Sequence, residues 1–440
     1  MKILHVIDSI NLRQGGPSVS VPALAAAQAK LGHEVTIVCR DYRYLGPMAT
    51  AEGVKVRTVP GNRWNKKAAG WGCSFRRLIE EEANKADVVH NHGVWLAANY
   101  YARKAAVKAG KPLVVSPRGM LEEWSLGQSK LRKSVVWQLF EKKNLESAAL
   151  FHATSSSEAE VIATALRMRM RIKIKGDDGL QATGGGKPSV DPRSTAAGGK
   201  WPRRSGGLKS NFEGPGMVVA ANGVEIPEGV PRREVLEKRF PGLKGKKWIV
   251  FMSRVHPKKG LLELAKAWRE VRQRYPGWEL AIAGPVEDGK YADRVRKELK
   301  GEGVWTGELA GEAKWCALGH AEFVALPTYS ENFGIVVAEG LAAGRPVLTT
   351  TGTPWGAVSL KMKMKIKKVE DIQSMNLEER GCGVICEPGV RGVRTGLGRM
   401  LKMSDVKRKG IGARGRKWMK KEFGWEKSAK ELIKAYQRIV

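Results

Sequence analysis

The stretch AEFVALPTYSENFGIVVAEGLAAGRPVLTT, residues 321–350, carries a strand, a polar turn, a helix and a second strand in immediate succession. AEFVALP (321–327) and RPVLTT (345–350) are short, β-rich apolar runs, and the segment between them has helical composition, the pattern of a βαβ unit in a parallel sheet. Two carboxylates punctuate it. Glu331 precedes the turn and Glu339 falls inside the helix, with seven residues between them. Amides around Phe333, Gly334 and Ile335 would point the positive end of the helix at an anion, leaving Glu331 within reach of a sugar hydroxyl and Glu339 available for ribose hydroxyls. Val336, Val337, Ala338, Leu341 and Ala342 surround Glu339, so this acid is expected to need a partner or a ligand.

Working towards the amino terminus, KWIVFMSRV (247–255) and WELAIAGP (278–285) continue the alternation and predict a second domain that begins near Lys246. The helix after Gly260 should bury Leu261, Leu264, Ala265, Trp268 and Val271 as core. Its approach, SRVHPKKGL, sets Arg254 and Lys259 on a short loop at a strand's carboxyl end, where open α/β sheets bind ligands. Two cations beside a helix amino terminus suit a diphosphate, and they would stabilise the charge that builds up as a nucleoside diphosphate departs. A solvated basic loop is the plainer alternative for this pair.

The first half repeats the pattern in KILHVID (2–8), EVTIVC (34–39), VKVRTVP (54–60), ADVVHNHG (86–93), PLVVSPRG (112–119) and LFHATS (150–155). A helix is expected over Val21 to Lys30, stopped by Gly32. In NLRQGGPS, Gly15 and Gly16 would let the backbone approach a phosphate or a sugar hydroxyl, although a glycine turn serves folding equally well. Order breaks at 167–216, where RMRMRIKIK and a Gly/Pro/Ser/Arg-rich tract carry eleven Lys/Arg and four Asp/Glu, and resumes at MVVAANGVEIP (217–227). KMKMKIKK (361–368) repeats the alternating basic and apolar character of RMRMRIKIK, and both suit a two-faced strand or ribbon.

A chain of 440 residues with 42% apolar content calls for at least two globular units. No run approaches the roughly 20 apolar residues of a membrane span, and MKILHVIDSI is too short for a signal peptide, so a cytoplasmic protein is expected. The five cysteines lack paired CxxC spacing and are expected to be reduced thiols. With 77 basic against 44 acidic side chains, the formal charge of +33 favours anionic partners: phosphate-rich ligands, anionic lipid or nucleic acid. No nucleic-acid module accompanies it, so a specific nucleic-acid partner is not expected.

The pair SRVHPKKG and SENFGIVVAEGLAAG resembles the donor half of glycosyltransferase family 4, retaining enzymes of the GT-B fold. The resemblance extends through VWTGELAGEAKW (304–315), TGTPW (351–355), ERGCGVICEPG (379–389) and FGW (423–425), and in the first half through DSINLRQGGPSVSVPALAAAQAKLGHEVTIV, DVVHNHGVW (87–95), SPRGMLEEWSL (116–126), LFHATSSSEAE (150–160) and ANGVEIP (221–227). It implies two Rossmann-like, doubly wound parallel-sheet α/β domains facing each other across a cleft. An acceptor domain would span 1–225 with a basic insertion at 167–216, and a donor domain 245–420 with a small basic insertion at 359–376. A final helix at 421–440 would return to the first domain.

The implied donor site holds Arg254 and Lys259 on the diphosphate, Glu331 on the transferred sugar and Glu339 on the ribose, with Gly15, Gly16, Glu308, Asn332, Phe333, Gly334 and Ile335 around the donor. Many relatives carry a histidine after the PLVV-type strand, where this chain has Arg118. His92 is an acceptor-side candidate with Arg118, set against a buried structural histidine.

The family chemistry implied is retaining and metal-independent, with no cofactor: front-face attack in which the departing diphosphate helps take the acceptor proton. A UDP- or GDP-linked sugar and a glycan or lipid-linked acceptor follow, in making surface polysaccharide or lipid-linked oligosaccharide. The enzyme would be cytoplasmic, with an anionic membrane surface as a further partner at the inner face of the cytoplasmic membrane. A phosphorylase or epimerase of the same fold, an inactive relative and a basic nucleic-acid- or membrane-binding protein are the alternatives.

Overall fold

A computed structural model describes residues 1–127, 130–174, 215–356 and 375–440. Among the described residues, thirteen strands form two sheets. In the first, β1 (Lys2–Ser9), β2 (Glu34–Asp41), β3 (Lys55–Pro60), β4 (Val88–His92), β5 (Leu113–Ser116), β6 (Leu150–Ala153) and β7 (Gly216–Val219) are ordered β3-β2-β1-β4-β5-β6-β7. In the second, β8 (Lys247–Met252), β9 (Trp278–Ala283), β10 (Val304–Gly307), β11 (Ala321–Leu326), β12 (Val347–Thr350) and β13 (Gly383–Cys386) run β10-β9-β8-β11-β12-β13. Every pairing in both sheets is parallel. Each sheet reverses its winding once, between β1 and β4 and between β8 and β11, and those switch points are where such folds open a crevice for ligands.

Most strands form where the sequence places apolar runs. β10 and β13 are exceptions, each four residues long and only partly buried, too short for a period to show. The first helix begins earlier than expected, at Gly16 and not near Val21. Pro17 lies in the first turn, where its missing N–H costs nothing, and Pro22 is accommodated inside the helix, so neither proline breaks it. Helix Leu261–Val271 buries all five predicted core positions, its two predicted leucines and Val271 each contributing about 2 kcal/mol relative to exposure. RMRMRIKIK is not a ribbon: residues through Ile174 extend helix Ser156–Ile174, whose hydrogen bonds need no neighbouring strand. KMKMKIKK lies outside the described residues, as does most of the first insertion.

The chain passes between the sheets at two places that touch. Val224 N–H donates to the Phe423 carbonyl at 2.7 Å. A Cβ on Gly223 would stand 2.5 Å from the Trp425 ring, so no larger residue fits that crossing. Beyond it, helix Trp425–Tyr436 lies on the first sheet's core beside helix Gly16–Lys30, burying Ala429, Leu432 and Tyr436 with Ile3, Val88, Val114 and Leu150. The preceding helix, Asp405–Glu422, packs its Trp418 and Met419 into the second core.

Candidate active site

Gly260 decides how the basic loop after β8 meets the loop after β11. Its φ of 69° and its closeness to the Pro327 carbonyl, 2.0 Å from where a Cβ would lie, leave room for glycine alone. The Lys258 carbonyl then accepts from Tyr329 N–H at 2.8 Å and Thr328 Oγ1 at 2.9 Å. This stitching brings Lys259, 7% exposed, into an ion pair with Glu331. Glu331 is itself fixed by its N–H, which donates to the Gly352 carbonyl at 3.0 Å.

Arg254 stands on the same loop but faces outward, its Nη1 2.8 Å from both Glu287 oxygens, with both side chains about half exposed. Screening leaves such a pair little net strength. Glu339 has the partner its apolar surroundings required: Lys314 Nζ, at 3.0 Å. Gly334 caps helix Ile335–Ala342 with a φ of 75°. The Phe333 ring belongs to a buried aromatic group with Trp355 and Phe423 and its carbonyl accepts from Trp355 Nε1, so the expected donor contact is one for its backbone amide and not its ring.

Residues of the first domain close on this loop. A Cβ on Gly16 would meet Ile335 Cδ1 at 3.4 Å, and one on Gly119 would meet Asn332 Cβ at 2.7 Å. Asn332 Nδ2 donates to Thr154 Oγ1 at 2.9 Å, and Ser155 Oγ donates to the Asn332 carbonyl at 3.2 Å. Glu122 accepts from Ser330 Oγ and pairs with Lys258 Nζ at 3.6 Å. Glu308 pairs with Arg13 at 3.5 Å on the exposed rim. Gly15, with a φ of 100°, caps helix Gly16–Lys30, and beside it Lys66 Nζ donates to Asp8 Oδ2 at 2.9 Å and Gln14 Oε1 at 2.8 Å.

Both acceptor-side candidates are buried, His92 as its alternative reading had it. His92 is 2% exposed and both ring nitrogens are engaged, Nε2 with His5 at 2.8 Å and Nδ1 with Arg118 at 3.1 Å. Arg118 turns the same way, donating from Nη1 to Asn222 Oδ1 at 2.9 Å. Burial pushes its guanidinium down to about 10, still cationic at neutral pH. Both side chains are directed into the interior, and the part of this segment that reaches the donor loop is Gly119.

Sequence reading missed Glu122, Lys258, Lys314, Thr154 and Ser155. Glu122, Lys314, Thr154 and Ser155 lie within the motifs that carry the resemblance, and Lys258 lies beside Lys259.

Two families match this architecture in order: a Glycosyl transferase 4-like domain over residues 15–174 and Glycosyl transferases group 1 over 246–360, together more than half of the chain. The chain belongs to the group 1 glycosyltransferases. Among similar proteins, this glycosyltransferase is 24% identical over 367 residues to the GDP-mannose:cellobiosyl-diphosphopolyprenol alpha-mannosyltransferase of Xanthomonas campestris, covering 79% of this chain and 78% of that one. Over 140 residues it is 31% identical to a phosphatidyl-myo-inositol mannosyltransferase of Mycobacterium tuberculosis, 30% of this chain and 36% of that one. Its fold matches Anabaena Alr3699/HepE, solved with UDP and glucose, at a TM-score of 0.66 and 15% identity over 99% of both chains. It also matches WaaG, a glycosyltransferase involved in lipopolysaccharide biosynthesis, at 0.60 and 13% over the whole of both. These likenesses establish the GT-B fold of the glycosyltransferase.

Proposed function

We propose that this glycosyltransferase moves a hexose from a UDP- or GDP-linked donor to a glycan or lipid-linked acceptor with retention of configuration and without a metal or cofactor. The observation that carries the proposal is the largely buried Lys259–Glu331 pair at the foot of helix Ile335–Ala342, on a turn whose Asn332 and Ile335 meet Gly119 and Gly16 of the first domain. Lys259 and Arg254 would neutralise the departing diphosphate, helped by the first-turn amides of that helix. Glu331 would orient the transferred sugar, and Glu339, held by Lys314, the ribose. The departing phosphate would take the acceptor proton, so the protein supplies position and charge.

Mannosyl transfer from GDP-mannose onto a lipid-linked saccharide, the chemistry named for the Xanthomonas relative, supports the GDP arm, and the UDP complex of the fold relative supports the other. No helix among the described residues is long and apolar enough to cross a membrane, so a lipid-linked acceptor would be met at the surface, where a charge of +33 attracts anionic headgroups. Thermal stabilisation by UDP, GDP, ADP and their sugars tests the proposal: stabilisation by one nucleotide, lost in Lys259→Ala, supports it, and no shift with any of them overturns it.

A further inference from the structure

Four histidines lie buried under helices Gly16–Lys30 and Trp425–Tyr436: His5 on β1, His90 and His92 on β4, and His152 on β6. Their hydrogen bonds form two chains, and each chain has an end that leaves no choice of direction. Arg118 can only donate, so His92 Nδ1, 3.1 Å away, accepts and is unprotonated. His92 Nε2–H therefore donates to His5 Nδ1 at 2.8 Å, and His5 Nε2–H to Gln28 Oε1 at 2.7 Å. In the second chain the Ala220 carbonyl can only accept. His152 Nε2–H donates to it at 2.9 Å, and His152 Nδ1 faces His90 Nε2–H at 3.4 Å. His90 Nδ1 accepts from Tyr436 Oη at 2.6 Å. All four rings are then neutral and carry the proton on Nε2.

We infer that His92 and His5 are positioning residues that hold the Arg118 guanidinium, and through it the Arg118–Gly119 turn, against the donor loop. The inference rests on the proposed reaction for its effect on turnover but not for the hydrogen-bond chain itself. Arg118 has a φ of 57°, a left-handed conformation that a non-glycine residue keeps only when its surroundings hold it. Three contacts do so: Nη1 to Asn222, Nη2 to His92, and the Gly119 N–H to Glu158 Oε1 at 2.7 Å. An imidazolium at His92 would set two donors face to face and release one of them. Burial opposes that charge, reinforced by the neighbouring rings and by Arg118, and keeps His92 well below the usual histidine range and His5 down to about 4. The groups facing these rings are His90, His152, Arg118, Gln28 and Tyr436.

The nitrogens of His5, His90 and His92 also lie within 4.8 Å of one another, a spacing a metal could use. The guanidinium 3.1 Å from His92 Nδ1 occupies that lone pair and repels a divalent cation, so the positioning role is the one the geometry carries.

Ring-nitrogen NMR of histidine-labelled protein tests the chain without any substrate. Four neutral rings protonated on Nε2 at pH 7 are expected, and Arg118→Leu should disturb His92 while leaving His152 unchanged. An Nδ1–H or imidazolium His92 in the unaltered protein would overturn the inference.

Turnover is then read as nucleoside diphosphate release from UDP-glucose and GDP-mannose. His92→Leu should lower kcat about tenfold or more with donor KM within about twofold. His92→Asn, whose Oδ1 can accept from Arg118, should recover most of it. His152→Leu, equally buried, should lose thermal stability but keep kcat. Equal losses of kcat in the two leucine variants would reduce His92 to a packing residue. If the unaltered protein consumes neither donor, the proposed function fails for these sugars, and the ring tautomers still decide the chain.

Discussion

Asn332 and Thr154 are 178 residues apart in the chain and joined across the domain boundary: Asn332 Nδ2 donates to Thr154 Oγ1 at 2.9 Å, and Thr154 Oγ1 donates onward to Glu158 Oε2, also at 2.9 Å. Glu158 further accepts from the N–H groups of Gly119 and Thr154, both at 2.7 Å. One buried carboxylate thus collects the two first-domain turns that face the donor loop. Thr154→Val keeps the shape and removes the hydroxyl. A net hydrogen bond of about 1 kcal/mol predicts a donor KM roughly fivefold higher and a larger radius of gyration in solution scattering. Unchanged scattering and KM would show that the bond does not govern closure.

Lys259→Met leaves the Glu331 carboxylate largely buried without its cation. Stability should fall by about 3 kcal/mol, and adding Glu331→Gln should restore most of it, since the cost comes from the stranded charge. Turnover should fall about a hundredfold or more in both variants, because neither has the cation for the leaving diphosphate. Denaturant titration beside steady-state kinetics separates the effects; recovery of kcat in the double variant would remove Lys259 from the reaction.

Lys314→Met removes the partner of Glu339. If Glu339 holds the ribose, donor KM should rise about tenfold and kcat should stay within about twofold. A fall in kcat at constant KM would place Glu339 in the chemical step instead.

Glu141 gives a pH signature. Its Oε2 accepts from Trp95 N–H at 2.9 Å, its Oε1 is buried without a hydrogen-bond partner among the described residues, and burial pushes the carboxyl up to about 7. A folded-state value above the unfolded one of about 4.3 means that the folded state holds the proton more tightly. The stability this contributes is complete below about pH 4 and is lost as pH rises through about 7. Glu141→Gln should therefore remove that decline and be more stable than the parent at pH 8, by up to about 3 kcal/mol. Thermal melts from pH 4 to 8 check this; parallel curves for the two proteins would refute it.

Most strands of both sheets were legible because buried parallel strands are continuous apolar runs. The helix at 167–174 was not, since alternating Arg/Lys with Met/Ile satisfies a strand period while those side chains also favour helices. Glu331, Lys259 and Glu339 were legible as a set through the motif resemblance, but their partners were only partly so. Lys314 lies on a different helix from Glu339, and Glu122 on the opposite domain from Lys258, so no local spacing announces either pair. Arg118 was read as a cleft residue from the resemblance, in place of a histidine of relatives, and His92 either as its neighbour on the acceptor side or as a buried structural histidine. The structure turns both side chains towards the interior, under helix Trp425–Tyr436.

That helix also sets an order of assembly. Residues 1–220 supply all seven strands of the first sheet and helix Gly16–Lys30 upon it, yet the part of that face beside the helix stays uncovered until Ala429, Leu432 and Tyr436 arrive. On the ribosome, the half of the protein made first is the half finished last. The nascent first domain must wait, with part of its apolar surface showing, through the synthesis of the whole second domain.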